Sequence, residues 1–228
     1  AIIRQLLGRR GIGVAQANPH GAELPKLIRR LQDCGEDRFK AVLIHTHSWD
    51  DETADLFGRT PFTAGFANFR DPRDVAVSLR KLHELPFENA LEATTQYFKL
   101  FHRTALGMDV LVIPYEQLAA AKQSYIFQIG RRLGFWPKFD ELAEIDQETS
   151  VDRHKAVMEQ VKDGKLDTLQ SRQNRHRKLV EDSKTLINDR HIQSGASGRW
   201  RTELTEDEQA AANEKFAAII QRYGYEST

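Results

Sequence analysis

A single cysteine, Cys34, occurs in 228 residues. No disulfide can close within the chain, and a reducing compartment, the cytoplasm, is the expected location. Long apolar runs are missing too. The longest, "AVLI" and "VLVI", fall far short of the ~20 residues that a membrane-spanning helix needs. Neither sign of charge predominates: lysine plus arginine and aspartate plus glutamate each total 33, for a net charge of zero. A general attraction for nucleic acid or an anionic membrane is therefore not expected, and any anion site has to be local. No secretory signal is visible, and the sequence opens at Ala1 rather than at methionine. The expectation is that something upstream lies outside it.

What is present suits a globular protein. Apolar residues make up 40% and charged residues 29%, and a chain of this size buries roughly 70% of the surface that its unfolded form exposes. "AIIRQLL" reads as a helix that "GRRGIG" breaks, with "GVAQANPHGAE" a loop or short extended piece. Leu24, Leu27, Ile28 and Leu31 mark an amphipathic helix over 23–34. "KAVLIHT", "FTAGFANF" and "MDVLVIPY" read as buried strands. Between them fall a short helix ending at Gly58, a helix from Asp71 onward and a long helix over 88–106. A helix over roughly 121–133 follows, and 140–190 carries no strand signal, so helices and loops are expected there. Thr205 with Glu208 makes a capping box for a last helix whose stripe is Phe216, Ile219, Ile220 and Tyr223. Strands alternating with helices predict an α/β fold, a parallel sheet covered on both faces. No internal repeat or linker divides it, so one domain over 1–228 is expected.

The most informative stretch is "FANFRDPRDVAVSLRKLHE", residues 66–84. Asp71 suits an N-cap and Pro72 the first helical position, where a missing N–H costs nothing. Val75, Leu79 and Leu82 then form the expected core stripe, with Ser78 on the same side. Arg70 falls at the carboxyl end of a strand, the edge where ligands bind in open α/β sheets. An arginine fork, a hydroxyl and helix N–H groups together make a receptacle for phosphate. Taken singly, an arginine at a strand end is more often a surface ion pair, and a serine is common at the edge of a helix stripe.

"RDPRDVAVS" closely resembles the 3′-phosphate-binding segment of sulfotransferases that use 3′-phosphoadenosine 5′-phosphosulfate (PAPS). The resemblance implies that Arg70 and Ser78 hold the donor's 3′-phosphate. "VLIHTHSW" sits where that family has a strand carrying Lys-Thr-His, which implies His47 as catalytic base and His45 in place of the lysine. On the residues alone, His45 and His47 share one strand face, which also fits a metal pair or packed histidines. "SGASGRWRTELT" is similar to the family's Gly-x-x-Gly-x-Trp-Lys loop over the 3′-phosphate and adenine. Ser194, Gly195, Gly198 and Trp200 match, and Arg201 stands for the lysine. The two basic residues usual before the first glycine are Gln193 and Ser194 here. The loop's two glycines and two serines lead us to expect that 193–201 is mobile without nucleotide and ordered with it. "VIPYEQL" resembles the family's Tyr-Glu strand end, placing Tyr115 near the adenine.

The family's 5′-phosphosulfate loop, which follows the first strand, has no counterpart here. "AIIRQLL" looks like the helix that comes directly after it, so that strand and loop are expected upstream of Ala1. The resemblance implies sulfuryl transfer from PAPS to a hydroxyl or amine of a small-molecule acceptor, without metal, nucleic acid or a membrane span. "SWDDETADLF" and 140–190 would border the acceptor pocket. The basic run "RQNRHRKLV" suits either a solvated face or an anionic acceptor. Two other readings stay open. One is a non-catalytic nucleotide-binding relative. The other is a P-loop kinase, which needs a Gly-x-x-x-x-Gly-Lys-Ser/Thr loop that this sequence does not show.

Overall fold

The structure, a computed structural model, describes residues 1–12, 14–17, 26, 41–44, 64–107, 109–163, 169–174, 177–182 and 196–226. The helices expected over 23–34 and up to Gly58 lie outside the described residues, Lys26 apart.

Helix α1 (Ile2–Gly8) leads into strand β1 (Val14–Ala17), which pairs in parallel with β2 (Ala41–Ile44). The extended alternative for "GVAQANPHGAE" is thus the one realised at its start. A second parallel pair joins β3 (Gly65–Phe69) to β4 (Val110–Pro114). Helices α2 (Pro72–His83) and α3 (Phe87–Gly107) form the connection between them. After β4 come α4 (Tyr115–Ala120), α5 (Lys122–Arg132), α6 (Phe139–Glu148) and α7 (Val151–Lys162). The chain closes with α8 (Trp200–Glu203) and α9 (Glu206–Tyr223). Among the described residues no helix is long and apolar enough to cross a membrane.

Strand alternation sends the side chains of β3 and β4 to two different cores. Phe66, Leu111 and Ile113 lie on one face, against Leu6 of α1, Ile126 and Ile129 of α5 and Ile145 of α6. Phe69 lies on the other, its ring 5.1 Å from that of Phe101 in α3 and 4.3 Å from that of Tyr223 in α9. Helices therefore cover both faces of this pair. A further apolar cluster joins Ala76 and Val77 of α2 to Phe87 and Leu91 of α3, Trp200, and Phe216 and Ile220 of α9. Helix α9 begins at the expected capping box: Thr205 Oγ1 accepts from the Glu208 N–H at 3.2 Å, and the Thr205 N–H donates to Glu208 Oε2 at 3.1 Å.

Arginines fasten α1 to α6. Arg9 pairs with Glu144, and Arg10 grips both oxygens of Glu141 at 2.5 and 3.0 Å. The Arg10 fork, aided by the Lys138 N–H, holds the Glu141 carboxyl down at about 2. This brace is complete above the ordinary carboxylate range and is lost only as the pH falls toward that value.

Two expectations change. Within 140–190, strands β5 (Leu169–Asn174) and β6 (Arg177–Asp182) pair as an antiparallel hairpin, separated by two residues in sequence. "LQSRQN" and "RKLVED" are mostly polar, so apolar alternation could not reveal them; ladder hydrogen bonds leave no such pattern. In α2, Val75, Leu79 and Leu82 are only half-buried, and the deep face carries Arg73, Ala76 and Val77 instead. Arg73 and Asp74 look like solvent residues in sequence, yet both are buried because each finds ionic partners.

Candidate functional site: the carboxyl edge of strands β3 and β4

Phe69 and Pro114 are register partners at the ends of their parallel strands. The next residues, Arg70 and Tyr115, consequently emerge side by side. The Arg70 guanidinium lies 4.8 Å from the centre of the Tyr115 ring, a cation–π contact. Parallel pairing, rather than any closeness in sequence, brings these two predicted residues together.

Helix α2 starts directly after Arg70. The Asp71 carboxylate caps it, accepting from the Arg73 N–H at 2.9 Å, and Pro72 takes the first position, both as expected. Glu116 braces this corner: its Oε1 accepts from the Asp71 N–H at 3.0 Å and its Oε2 from the Tyr225 hydroxyl at 3.0 Å. Burial, followed by the nearby Glu116 charge, pushes the Tyr225 hydroxyl far above the usual phenol range, so it remains a protonated donor.

Asp74 is the centre of the arrangement, and sequence reasoning missed it. Its side chain is 0% exposed. Oδ2 accepts from Arg70 Nη2 at 3.0 Å and from the Gly198 N–H at 2.8 Å, while Oδ1 accepts from the Trp200 N–H at 3.1 Å. One carboxylate thus joins the strand tip to the Gly-x-Trp loop, across more than 120 residues of chain. The available signal was its spacing: Asp74 and Ser78 share one face of α2, and Arg70 precedes Asp74 by four residues just before the helix cap.

The loop has its own supports. Trp200 is fully buried, and two guanidinium groups lie over its ring, Arg73 at 3.8 Å and Arg201 at 4.5 Å from its centre. Arg73 is fixed by Asp71 at 2.7 Å and by the Asn213 side chain at 2.8 Å. Gly198 adopts φ +78°, a left-handed backbone that L side chains rarely take, so glycine suits the position.

Arg70, Tyr115, Gly198, Trp200 and Arg201 are therefore gathered around one corner. Ser78 is half-buried, one turn beyond Asp74 and ~6 Å further along the axis. It has no hydrogen bond to that group among the described residues. His45, His47, Ser194 and Gly195 lie outside the described residues.

The chemistry of the corner suits an anion. Arg70 Nη2 donates to Asp74 and to the Ala196 carbonyl oxygen. Its Nε is buried and has no acceptor among the described residues. A buried guanidinium N–H without a partner costs free energy unless a ligand oxygen takes it.

No family model and no curated protein matches the sequence. Solved structures do. A mouse sulfotransferase, SULT7A1, complexed with PAP is similar with a TM-score of 0.60 and 16% identity, over 96% of this chain and 80% of that one. Retinol dehydratase in complex with androsterone and inactive cofactor PAP gives 0.52 and 17% over 84% of this chain. The same protein in a complex with retinol and PAP gives 0.54 and 17% over 83%. This chain spans 56% of the length of either retinol dehydratase structure. Parallel strand pairs, helices on both faces and these likenesses agree on one architecture: the chain has the α/β sulfotransferase fold.

Proposed function

We propose that this protein is a sulfotransferase that takes a sulfuryl group from PAPS and passes it to a hydroxyl or amine of a small-molecule acceptor. The observation that carries the reading is the Nε of Arg70, buried without an acceptor among the described residues at the carboxyl edge of a parallel strand pair in this fold. A fold alone does not decide activity; a donor group awaiting an anion at the ligand-binding edge adds chemistry to it.

The donor, when bound, supplies a sulfuryl group attached to a phosphate leaving group. Arg70 and Ser78 anchor its 3′-phosphate, and Tyr115 borders the adenine. The loop 194–201, with Ser194, Gly195, Gly198, Trp200 and Arg201, closes the nucleotide end. Binding energy gathered there fixes the reactive end without touching it. His47 takes the acceptor's O–H or N–H proton onto an imidazole nitrogen, which suits its unperturbed pKa of ~6.5. His45, when protonated, assists the leaving oxygen. Residues 1–228 form one domain, and the protein works in the cytoplasm.

Calorimetry tests the nucleotide site. The product, adenosine 3′,5′-bisphosphate (PAP), should bind at least ~10-fold more tightly than adenosine 5′-phosphate, because charge-assisted contacts to one more phosphate are gained. Equal affinities would end the reading. Hydrogen exchange tests the loop. The Gly198 and Trp200 amides, already bonded to Asp74, should exchange slowly without nucleotide, while 193–197 should gain protection when PAP is added. Unchanged protection at saturating PAP would assign the loop another role.

A further inference from the structure

We propose that Asp74 is a positioning residue that gives the nucleotide site its selectivity for a 3′-phosphate, by locking Arg70 and the 198–200 backbone into one rigid unit. The inference rests on the reading of this corner as the PAP site, and it concerns a residue whose oxygens accept from Arg70, Gly198 and Trp200.

Burying a carboxylate is costly unless its oxygens are satisfied. Asp74 is satisfied by three donors from three places: a strand tip, a loop glycine and the first residue of α8. A residue serving only the stability of α2 would need none of the distant ones. By taking one N–H of Arg70 Nη2 while the Ala196 carbonyl takes the other, this arrangement fixes the rotation of the guanidinium. The Nε–H beside them has no acceptor among the described residues. The Tyr115 ring, 4.8 Å from the guanidinium carbon, flanks the group on one side. An arginine held in this way meets an anion without first losing rotamer freedom, and it discriminates by geometry as well as charge.

Asn in place of Asp74 tests the idea while keeping size. Its amide group has one oxygen, so whichever way it turns, an NH₂ faces either the Trp200 N–H or the Arg70 and Gly198 donors. Calorimetry on the intact chain would compare PAP with adenosine 5′-phosphate for wild type and Asp74→Asn. The wild type should prefer PAP, and Asp74→Asn should lose roughly tenfold of that preference, with faster exchange at the Gly198 and Trp200 amides. Should the wild type show no preference, the nucleotide reading itself falls and this inference with it. Where the wild type discriminates and Asp74→Asn keeps the full ratio, even with a lowered melting temperature, Asp74 is merely structural and the proposal is overturned. Tighter binding of PAP to Asp74→Asn would also overturn it, by showing that the carboxylate competes with the phosphate. If Asp74→Asn does not fold, Gly198→Ala decides. Its positive φ strains any L side chain and shifts the N–H away from Asp74, so the same loss of preference is expected, and an unchanged ratio refutes the role.

Discussion

Replacing His47 with alanine should cut turnover by a few orders of magnitude while leaving PAP affinity within about twofold. A general base acts mainly in the transition state, so its loss separates chemistry from nucleotide binding. The motif places His47 just beyond β2, which ends at Ile44 and runs parallel to β1. Its role therefore depends on the strand delivering it to the same edge that presents Arg70. His45→Ala should be milder, because it assists only the leaving group. The assay needs an acceptor found by screening phenols, alcohols and amines. Near-normal turnover in His47→Ala beside a dead His45→Ala would exchange the two roles. Activity in both would move proton removal to a carboxylate such as Asp50 or Glu52.

Arg70→Ala should weaken PAP binding by about 3 kcal/mol, because charge-assisted contacts to a phosphate are lost together. Affinity for adenosine 5′-phosphate, which lacks the 3′ group, should change little. The comparison of ligands matters here because Arg70 also donates to buried Asp74. Its removal leaves that carboxylate with two donors instead of three, which by itself disturbs the loop backbone. A fold effect weakens both ligands alike, whereas loss of a 3′-phosphate contact weakens one. Equal losses, or none, would remove Arg70 from the site.

Much of this corner was legible because it is local. Asp71, Pro72 and the Thr205–Glu208 box are capping chemistry confined to a few residues, and each appears where its pattern predicts. The strands around Phe66, Leu111 and Ile113 were legible because they bury apolar faces. Asp74 was not, since its meaning lies in N–H groups 124 and 126 residues away. A buried carboxylate in a helix reads as solvent-facing until its distant donors are known. Arg73 escaped for the same reason, with Trp200 and Asn213 as its unseen partners. Tyr115 was named from a motif, but only the strand register explains why it lies against Arg70. The β5–β6 hairpin escaped because neither strand carries an alternating apolar face.

The site as a whole stands or falls on where a bound nucleotide places its phosphate. A crystal structure of the intact protein with PAP is the direct measurement. The 3′-phosphate should lie within ~3 Å of the Arg70 guanidinium, accepting from its Nε, with Ser78 Oγ as a second donor and the 198–201 loop closed beside it. A PAP molecule bound elsewhere, or one whose 3′-phosphate faces solvent while Arg70 stays bonded only to Asp74 and Ala196, would contradict it.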